Sequence, residues 1–184
     1  MTRSAYSASN VLHFWFDELT DKHHFAKDAA LDEMIRTRFG ATLEAAQCCE
    51  LYAWRASPEG RLAEIIVLDQ FSRNVYRDTP RAFAQDALAL SLAQELSASG
   101  QDRTLSIAQR RFAYMPYMHS ESKLIHAQAV QLFALPGLEN NLDFERRHQA
   151  IITRFGRYPH RNAILGRAST VEEIAFLNEP GSSF

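Results

Sequence analysis

Apolar residues recur along the chain at the three- and four-residue spacing of an α-helix, and no segment shows the alternation of a β-strand. Proline, glycine and capping residues divide this pattern into segments. The first predicted helix is short and capped by Asn10, and the second begins at Asp28 or Ala29, is interrupted at Gly40 and resumes to about Trp54. Three helices follow: 58–73, one from Thr79-Pro80 to near Gly100, and one from Thr104 that stops before Pro116. The last three are 120–134, 141–155 and a short helix capped by Ser169-Thr170. Eight or nine helices predict an all-α fold, either a bundle or a solenoid. No clean repeat of about 34 residues is visible.

Length and composition narrow the class of protein. A chain of 184 residues with 46% hydrophobic residues is expected to form one helical domain over 1–184. The net charge of -2 disfavours nucleic acid as a partner. The two adjacent cysteines, Cys48 and Cys49, suit a reducing compartment. No apolar run approaches the roughly 20 residues of a membrane span. We therefore expect a cytoplasmic protein without a membrane segment.

Two opposite charges interrupt an apolar stripe of the helix 58–73. Leu62, Ile65 and Ile66 share one face, and Asp69 and Arg73 continue it, with Asn74 beside them. Buried charges are costly unless they are paired. The stripe therefore predicts either an internal Asp69–Arg73 ion pair or one wall of a polar pocket.

Several histidines lie on apolar helix faces. His148 lies in the middle of the apolar face of 141–155, His126 on that of 120–134, and His119 two turns before His126. A single histidine of this kind is more often a hydrogen-bonded core residue than a catalyst. His23 and His24 are expected to face solvent. The spacing does not favour a zinc site built from Asp69, His119, Glu121 and His148, so we expect no metal. Phosphate- and dinucleotide-binding motifs are absent, so we expect no cofactor.

The segment from Arg146 to Val171 contains six arginines and no acidic residue. Gly156 can end one helix and Pro159 can begin the next, so the arginines surround a turn rich in hydrogen-bond donors. Such a turn suits a carboxylate or a phosphate. The alternative is that these arginines pair with acids elsewhere, such as Asp69, Glu64 or Glu121, and brace the fold. The candidate donors are Arg154, Arg157, His160, Arg161 and Asn162.

A set of motifs resembles one bacterial family over essentially the whole chain. The motifs are Phe14-Trp15-Phe16, LDQFSRN at 68–74, Pro80, Phe83 and Asp86, Met115-Pro116, His119-Ser120-Glu121 and RFGRYPHRN at 154–162. Together they resemble the family called domain of unknown function 924. The resemblance implies a tetratricopeptide-repeat-like fold of stacked antiparallel helix pairs. It implies no activity. The family usually has proline where this chain has Ser72.

These observations lead to one functional hypothesis and one alternative. The hypothesis is a polar groove that binds a small anionic molecule or an acidic peptide end. Arg157 and Arg161 would hold the anion, and His119 or His160 would transfer a proton. The other groove residues would be Asp69, Arg73, Asn74, Glu121, His148, Arg154 and Asn162. The alternative is a protein-interaction scaffold in which the polar clusters are internal braces.

Overall fold

The computed structural model describes residues 6–182, and all regular structure within them is helical. The α-helices are α1 (Ala8–His13), α2 (Asp21–Phe25), α3 (Ala29–Gln47), α4 (Pro58–Ile66), α5 (Ser72–Val75), α6 (Asp86–Ala98), α7 (Ile107–Met118), α8 (Lys123–Phe133), α9 (Glu139–Phe155) and α10 (Val171–Leu177). π-Helical turns at Phe14–Glu18 and Val67–Phe71 extend α1 and join α4 to α5, which leaves nine continuous helical segments in this part of the chain. The all-α prediction is confirmed.

Capping signals set several helix ends where the sequence places them. Ser57 accepts a hydrogen bond from the amide of Gly60 and Pro58 occupies the first turn of α4. Thr170 and Glu173 form a reciprocal capping box at the start of α10. The first helix differs from its prediction: Ser7 is its cap, and Asn10 closes the capping box from the third position.

Other boundaries were predicted wrongly. α3 continues through Gly40, where no side chain or neighbouring backbone crowds the helix. α7 begins at Ile107 after the cap Ser106 and runs past Pro116 to Met118. Proline removes one backbone hydrogen bond, and the burial of the last turn of α7 offsets that loss. α8 begins at Lys123, so Ser120 lies in a turn and does not cap the helix.

α4 is the centre of the main core and packs against α1, α6 and α7. Leu62, Ile65, Ile66, Val67 and Leu68 are fully buried, as expected for a helix that is apolar on nearly every side. Aromatic rings contributed by the N-terminal helices, α3, the turn after α4 and α7 extend this core.

A smaller core joins α9 to the C-terminal segment and contains Ile151, Ile152, Tyr158 and Phe176. α7, α8 and α9 pack as consecutive neighbours. Short connections join α7 to α8 and α8 to α9, as between antiparallel neighbours, so α7 and α9 run in the same direction. Both contribute side chains to one cleft.

Candidate functional site

The described residues enclose a cleft of about 1260 Å³ that gathers polar side chains from distant parts of the sequence. Its walls come from α2, α5, α7, α9 and the 3₁₀ turn Pro159–Arg161. The polar lining residues at one end are Gln70, Arg73, Asn74, His119, His148, Tyr158, His160 and Arg161. The structure therefore brings together six of the eleven residues predicted from the sequence, and places Asp69 directly behind this lining.

Asp69 is a buried carboxylate that lies in the π-helical turn joining α4 to α5. π-Helical turns are frequent at functional sites. Its Oδ1 lies 2.7 Å from Nδ1 of His119 and 3.0 Å from Nη1 of Arg73, and Gln70 donates to Oδ2. Burial raises the pKa of Asp69, but Arg73, His119 and Gln70 together bring the pKa well below its usual value. Asp69 is therefore ionised at neutral pH, and the predicted Asp69–Arg73 ion pair is present.

The hydrogen bond from His119 to Asp69 fixes the tautomer of the imidazole. Because an ionised carboxylate only accepts, Nδ1 carries the proton and Nε2 keeps its lone pair. Burial and the charge of Arg73 lower the pKa of His119, and they outweigh Asp69, which raises it. His119 lines the cleft as a neutral imidazole that can accept a proton at Nε2.

Two arginines share the carboxylate of Asp86. Nη1 of Arg73 lies 2.9 Å from Oδ1, and Nη1 of Arg161 donates to Oδ2 at 3.1 Å. The Arg161 guanidinium lies between the rings of Phe83 and Tyr158, with its Cζ 4.6 Å from each ring centroid. Burial and the repulsion of Arg73 lower the pKa of Arg161. Within residues 6–182, its buried Nε has no hydrogen-bond acceptor.

Two further imidazoles at the polar end of the cleft, those of His148 and His160, are neutral. Burial lowers the pKa of His148 to about 3 and that of His160 to about 4. Nδ1 of His148 donates to the carbonyl of Phe144 at 2.8 Å, so Nε2 carries its lone pair. Both rings lie near Tyr158. Histidines therefore add hydrogen-bonding groups to the cleft without adding charge at neutral pH.

Four predicted site residues are instead engaged outside the cleft lining. Nη1 and Nη2 of Arg167 donate to the carboxylate of Glu121, at 2.7 and 2.9 Å. The backbone amide of Tyr158 donates to the same carboxylate. Asn162 is buried and bonds Ser169 and Arg167. These contacts brace the arginine-rich segment against the turn after α7.

Arg157 and Arg154 also pair with acidic residues. Arg157 binds Glu173 with two hydrogen bonds and the carbonyl of Ala168 with a third, and exposed Arg154 binds Glu172. Arg157, which the sequence predicts to hold an anion, therefore lies outside the cleft lining with Nε and Nη2 already donating to these partners. The alternative of internal bracing describes these arginines, because α10, which follows the segment, packs two glutamates against them.

Sequence reasoning missed several residues that shape the cleft. Asp32 accepts hydrogen bonds from Asn74 and Arg77, and Asp86 joins the two cleft arginines. The only signal for Asp86 was its place in the family motifs. His24 was expected to face solvent, but it stacks on Trp15 and bonds the Trp15 carbonyl at 2.9 Å. Glu64 pairs with Arg55 rather than with the arginine-rich segment.

His126 belongs to the core. Its Nδ1 lies 2.7 Å from Oε1 of Glu145 and its Nε2 lies 2.8 Å from the carbonyl of Ser120, and both side chains are fully buried. Among residues 6–182, no three histidine, cysteine, aspartate or glutamate side chains are placed to hold a metal ion. No helix in that range is long and apolar enough to cross a bilayer.

Comparison with known proteins places this all-helical architecture in a family. Residues 11–181 match the bacterial proteins of unknown function called DUF924, and the chain belongs to that family. A solved structure of a protein of unknown function from Agrobacterium tumefaciens is similar, with 38% sequence identity and a TM-score of 0.88. The match covers 93% of this chain and 96% of that one. A comparison with curated proteins gives no match.

Proposed function

We propose that the cleft binds a small anionic molecule through the guanidinium of Arg161. The observation that carries this proposal is that Arg161 is buried in the cleft wall, has one hydrogen bond to Asp86 and leaves Nε without an acceptor. A buried donor without a partner costs about 1–3 kcal/mol, and a carboxylate or phosphate oxygen that displaces neighbouring side chains to reach Nε would remove that cost. Arg73 also lines the cleft, but Asp69 and Asp86 both engage its guanidinium, so it adds no net positive charge.

His119 is the proposed proton-transfer group beside this anion. Asp69 orients the ring as a carboxylate orients the histidine of a general base, and Nε2 is the nitrogen left for the cleft. The described lining contains no serine, threonine or cysteine, which supports proton transfer rather than covalent catalysis by a hydroxyl or thiol. His160 and His148 provide neutral hydrogen-bonding groups, and Asn74 contributes an amide held by Asp32.

Binding of simple anions to matched arginine variants tests the proposal. Calorimetric titration and thermal shift would use acetate, hexanoate, succinate and inorganic phosphate. We expect at least one of these anions to bind the wild type, and Arg161→Lys to weaken binding by about 1.5–3 kcal/mol, as expected for a charge-assisted hydrogen bond. Arg157→Ala is the control, because Arg157 lies in the same segment but binds Glu173 outside the cleft lining.

Two results would contradict the proposal. The first is that none of the four anions binds or shifts the melting temperature. The second is that Arg161→Lys and Arg157→Ala bind every anion as the wild type does. In either case the charges of the cleft would serve only to hold the helices together.

The scaffold alternative, with a tetratricopeptide-repeat-like surface for a protein partner, predicts that second behaviour. The ion pairs of Glu121, Arg154 and Arg157 support a bracing role for part of the arginine-rich segment. They do not account for the unsatisfied Nε of Arg161, and we therefore favour the anion site. The two exposed free cysteines support the proposal of a cytoplasmic location, because exposed thiols persist in a reducing compartment.

A further inference from the structure

We infer that the ligand of the cleft is a monocarboxylate with an apolar tail, whose carboxylate binds Arg161 beside His119 and whose tail lies along α7 toward Ile107. This inference rests on the proposed anion site and goes beyond it by assigning the charge and the shape of the ligand. Three observations carry it: the balance of charges at the polar end, the order of side chains along α7, and two exposed aromatic side chains in the same cleft.

The charges at the polar end disfavour a ligand that carries two negative charges. Arg73 and Arg161 face the two carboxylates of Asp69 and Asp86, so the four charges cancel. The neighbouring histidines contribute no charge at neutral pH. A phosphate, which carries nearly two negative charges, would lie close to both aspartates with no uncommitted cation to offset the second charge. A carboxylate can accept from Arg161 and adds only one charge.

Other charged side chains of the cleft do not alter this balance. Arg77 is paired with Asp32 through two hydrogen bonds, and Arg111 is paired with Asp21 while its guanidinium lies over Phe25. The rim residues are exposed, so that solvent screens their charges. They are Lys27, Asp78 and Glu139.

α7 gives the cleft a polar end and an apolar run. Ile107, Arg111, Met115 and His119 recur every four residues and all line the cleft, and Met118 lines it beside His119. At 1.5 Å per residue, His119 is about 12 Å along the helix from Arg111. Between these two residues α7 presents only methionine side chains to the cleft. A tail that starts at the carboxylate site meets this apolar run first.

α9 runs beside this path in the same direction. His148 belongs to the polar end, and Phe144 lies one turn nearer the Ile107 end and also lines the cleft. Phe144 is 50% exposed and Phe25 is 55% exposed, so the cleft leaves aromatic surface open to water. An apolar tail in the cleft would cover both rings and remove that surface from water.

A series of ligands that differ only in tail length or head group tests the inference. Calorimetric titration would compare the affinities of acetate, butanoate, hexanoate and octanoate. Hexanamide is the uncharged analogue of hexanoate, and inorganic phosphate is a multivalent anion without a tail. Because burial of one methylene contributes about 0.8 kcal/mol, we expect affinity to rise by up to about fourfold per methylene. Hexanamide and phosphate should bind about tenfold or more weakly than hexanoate.

Two variants locate the tail. Phe144→Ala should reduce the affinity for octanoate by about tenfold and leave that for acetate unchanged, because only the tail reaches the ring. Leu124→Ala is the matched control, since Leu124 is 70% exposed on α8 and does not line the cleft. Arg161→Lys should weaken every carboxylate of the series.

The possible failures are distinguishable. Equal affinity for acetate, hexanoate and octanoate would overturn the apolar tail and leave the proposed anion site in place. Tighter binding of phosphate than of hexanoate would overturn the monocarboxylate in the same way. An absence of binding by all six probes would contradict both the inference and the proposed function.

Discussion

Asp69 holds the imidazole of His119 through a hydrogen bond of 2.7 Å, although the two residues are 50 positions apart in the sequence. Asp69 also faces Arg73, whose guanidinium reaches Asp86, and Asp86 binds Arg161. The polar end of the cleft is thus one chain of alternating charges with an imidazole at one end and an incompletely bonded guanidinium at the other. Removing one charged side chain from this chain of contacts therefore leaves its neighbour with one opposite charge fewer.

Loss of Asp69 is expected to destabilise the fold strongly. Asp69→Ala leaves the half-buried Arg73 with one carboxylate fewer, and breaking a buried ion pair costs about 3–5 kcal/mol. Urea unfolding would measure the change. Asp17→Ala is the control, because Asp17 forms an exposed pair with His13 and should alter stability by less than about 0.5 kcal/mol. Equal stabilities for the two variants would show that the Asp69 network contributes nothing to folding.

Two helical glycines should respond to alanine in opposite directions. A methyl group at Gly60 would lie 2.1 Å from the carbonyl oxygen of Trp54, so Gly60→Ala should cost about 1–3 kcal/mol or more. Gly40 in α3 has nothing within 4 Å, and Gly40→Ala should stabilise by about 0.5–1 kcal/mol because alanine favours helix. Thermal unfolding of both variants checks the sign, and a stabilising Gly60→Ala would contradict the close packing at Trp54.

The pairs of the arginine-rich segment should differ in their contribution to stability. Glu121→Ala removes the acceptor for two nitrogens of Arg167 and for the amide of Tyr158, and should cost about 1–3 kcal/mol. Arg154→Ala removes one exposed pair with Glu172 and should cost less than about 1 kcal/mol. Chemical denaturation of the two variants would compare them directly. A larger loss for Arg154→Ala would refute the assignment of Glu121 as the brace.

Stability should fall when the solution is acidified below neutral pH, partly because of His148. Its pKa of about 3 in the folded protein lies below the unfolded value, so the unfolded chain binds more protons over the interval between them and stability decreases as pH falls. Between about pH 7 and pH 5 this one group should account for about 2 kcal/mol.

Variants of α9 test that pH dependence. His148→Leu should flatten the change of unfolding free energy over this pH interval, whatever its effect on stability at neutral pH. Arg147→Ala serves as the control, because Arg147 is the adjacent residue of α9 and its side chain is exposed. An unchanged slope in His148→Leu would mean that other groups carry the acid sensitivity.

Local signals in the sequence predicted much of the fold. The caps at Ser57 and Thr170 act through hydrogen bonds to amides three residues away, so a short segment contains both partners. The apolar periodicity around Leu62–Leu68 identified a buried helix because it too is contained in a short segment of sequence. Local signals failed at Gly40 and Pro116, where intrinsic preference argued for a break and the burial of neighbouring turns kept the helix continuous.

The candidate site was predicted in part. Asp69 and Arg73 were recognisable because their charges interrupt an apolar stripe. His119 and His148 were recognisable from their positions relative to apolar helix faces, and Arg161 from its place in a turn rich in hydrogen-bond donors. Asp86 and Asp32 carry no such local signal, since an acidic residue at a helix surface is ordinary until a distant arginine packs against it.

The sequence by itself therefore determined an all-helical protein of this family, the principal helix caps, and the polar positions that needed an explanation, because each depends on residues within one or two turns of one another. Only the tertiary structure decided which arginines line the cleft and which pair outside it. The packing of α10 brings Glu172 and Glu173 to Arg154 and Arg157, while the packing of α6 gives Arg161 a single shared aspartate. The charges in the arginine-rich segment are alike in sequence, and their partners depend on how α6 and α10 pack against that segment.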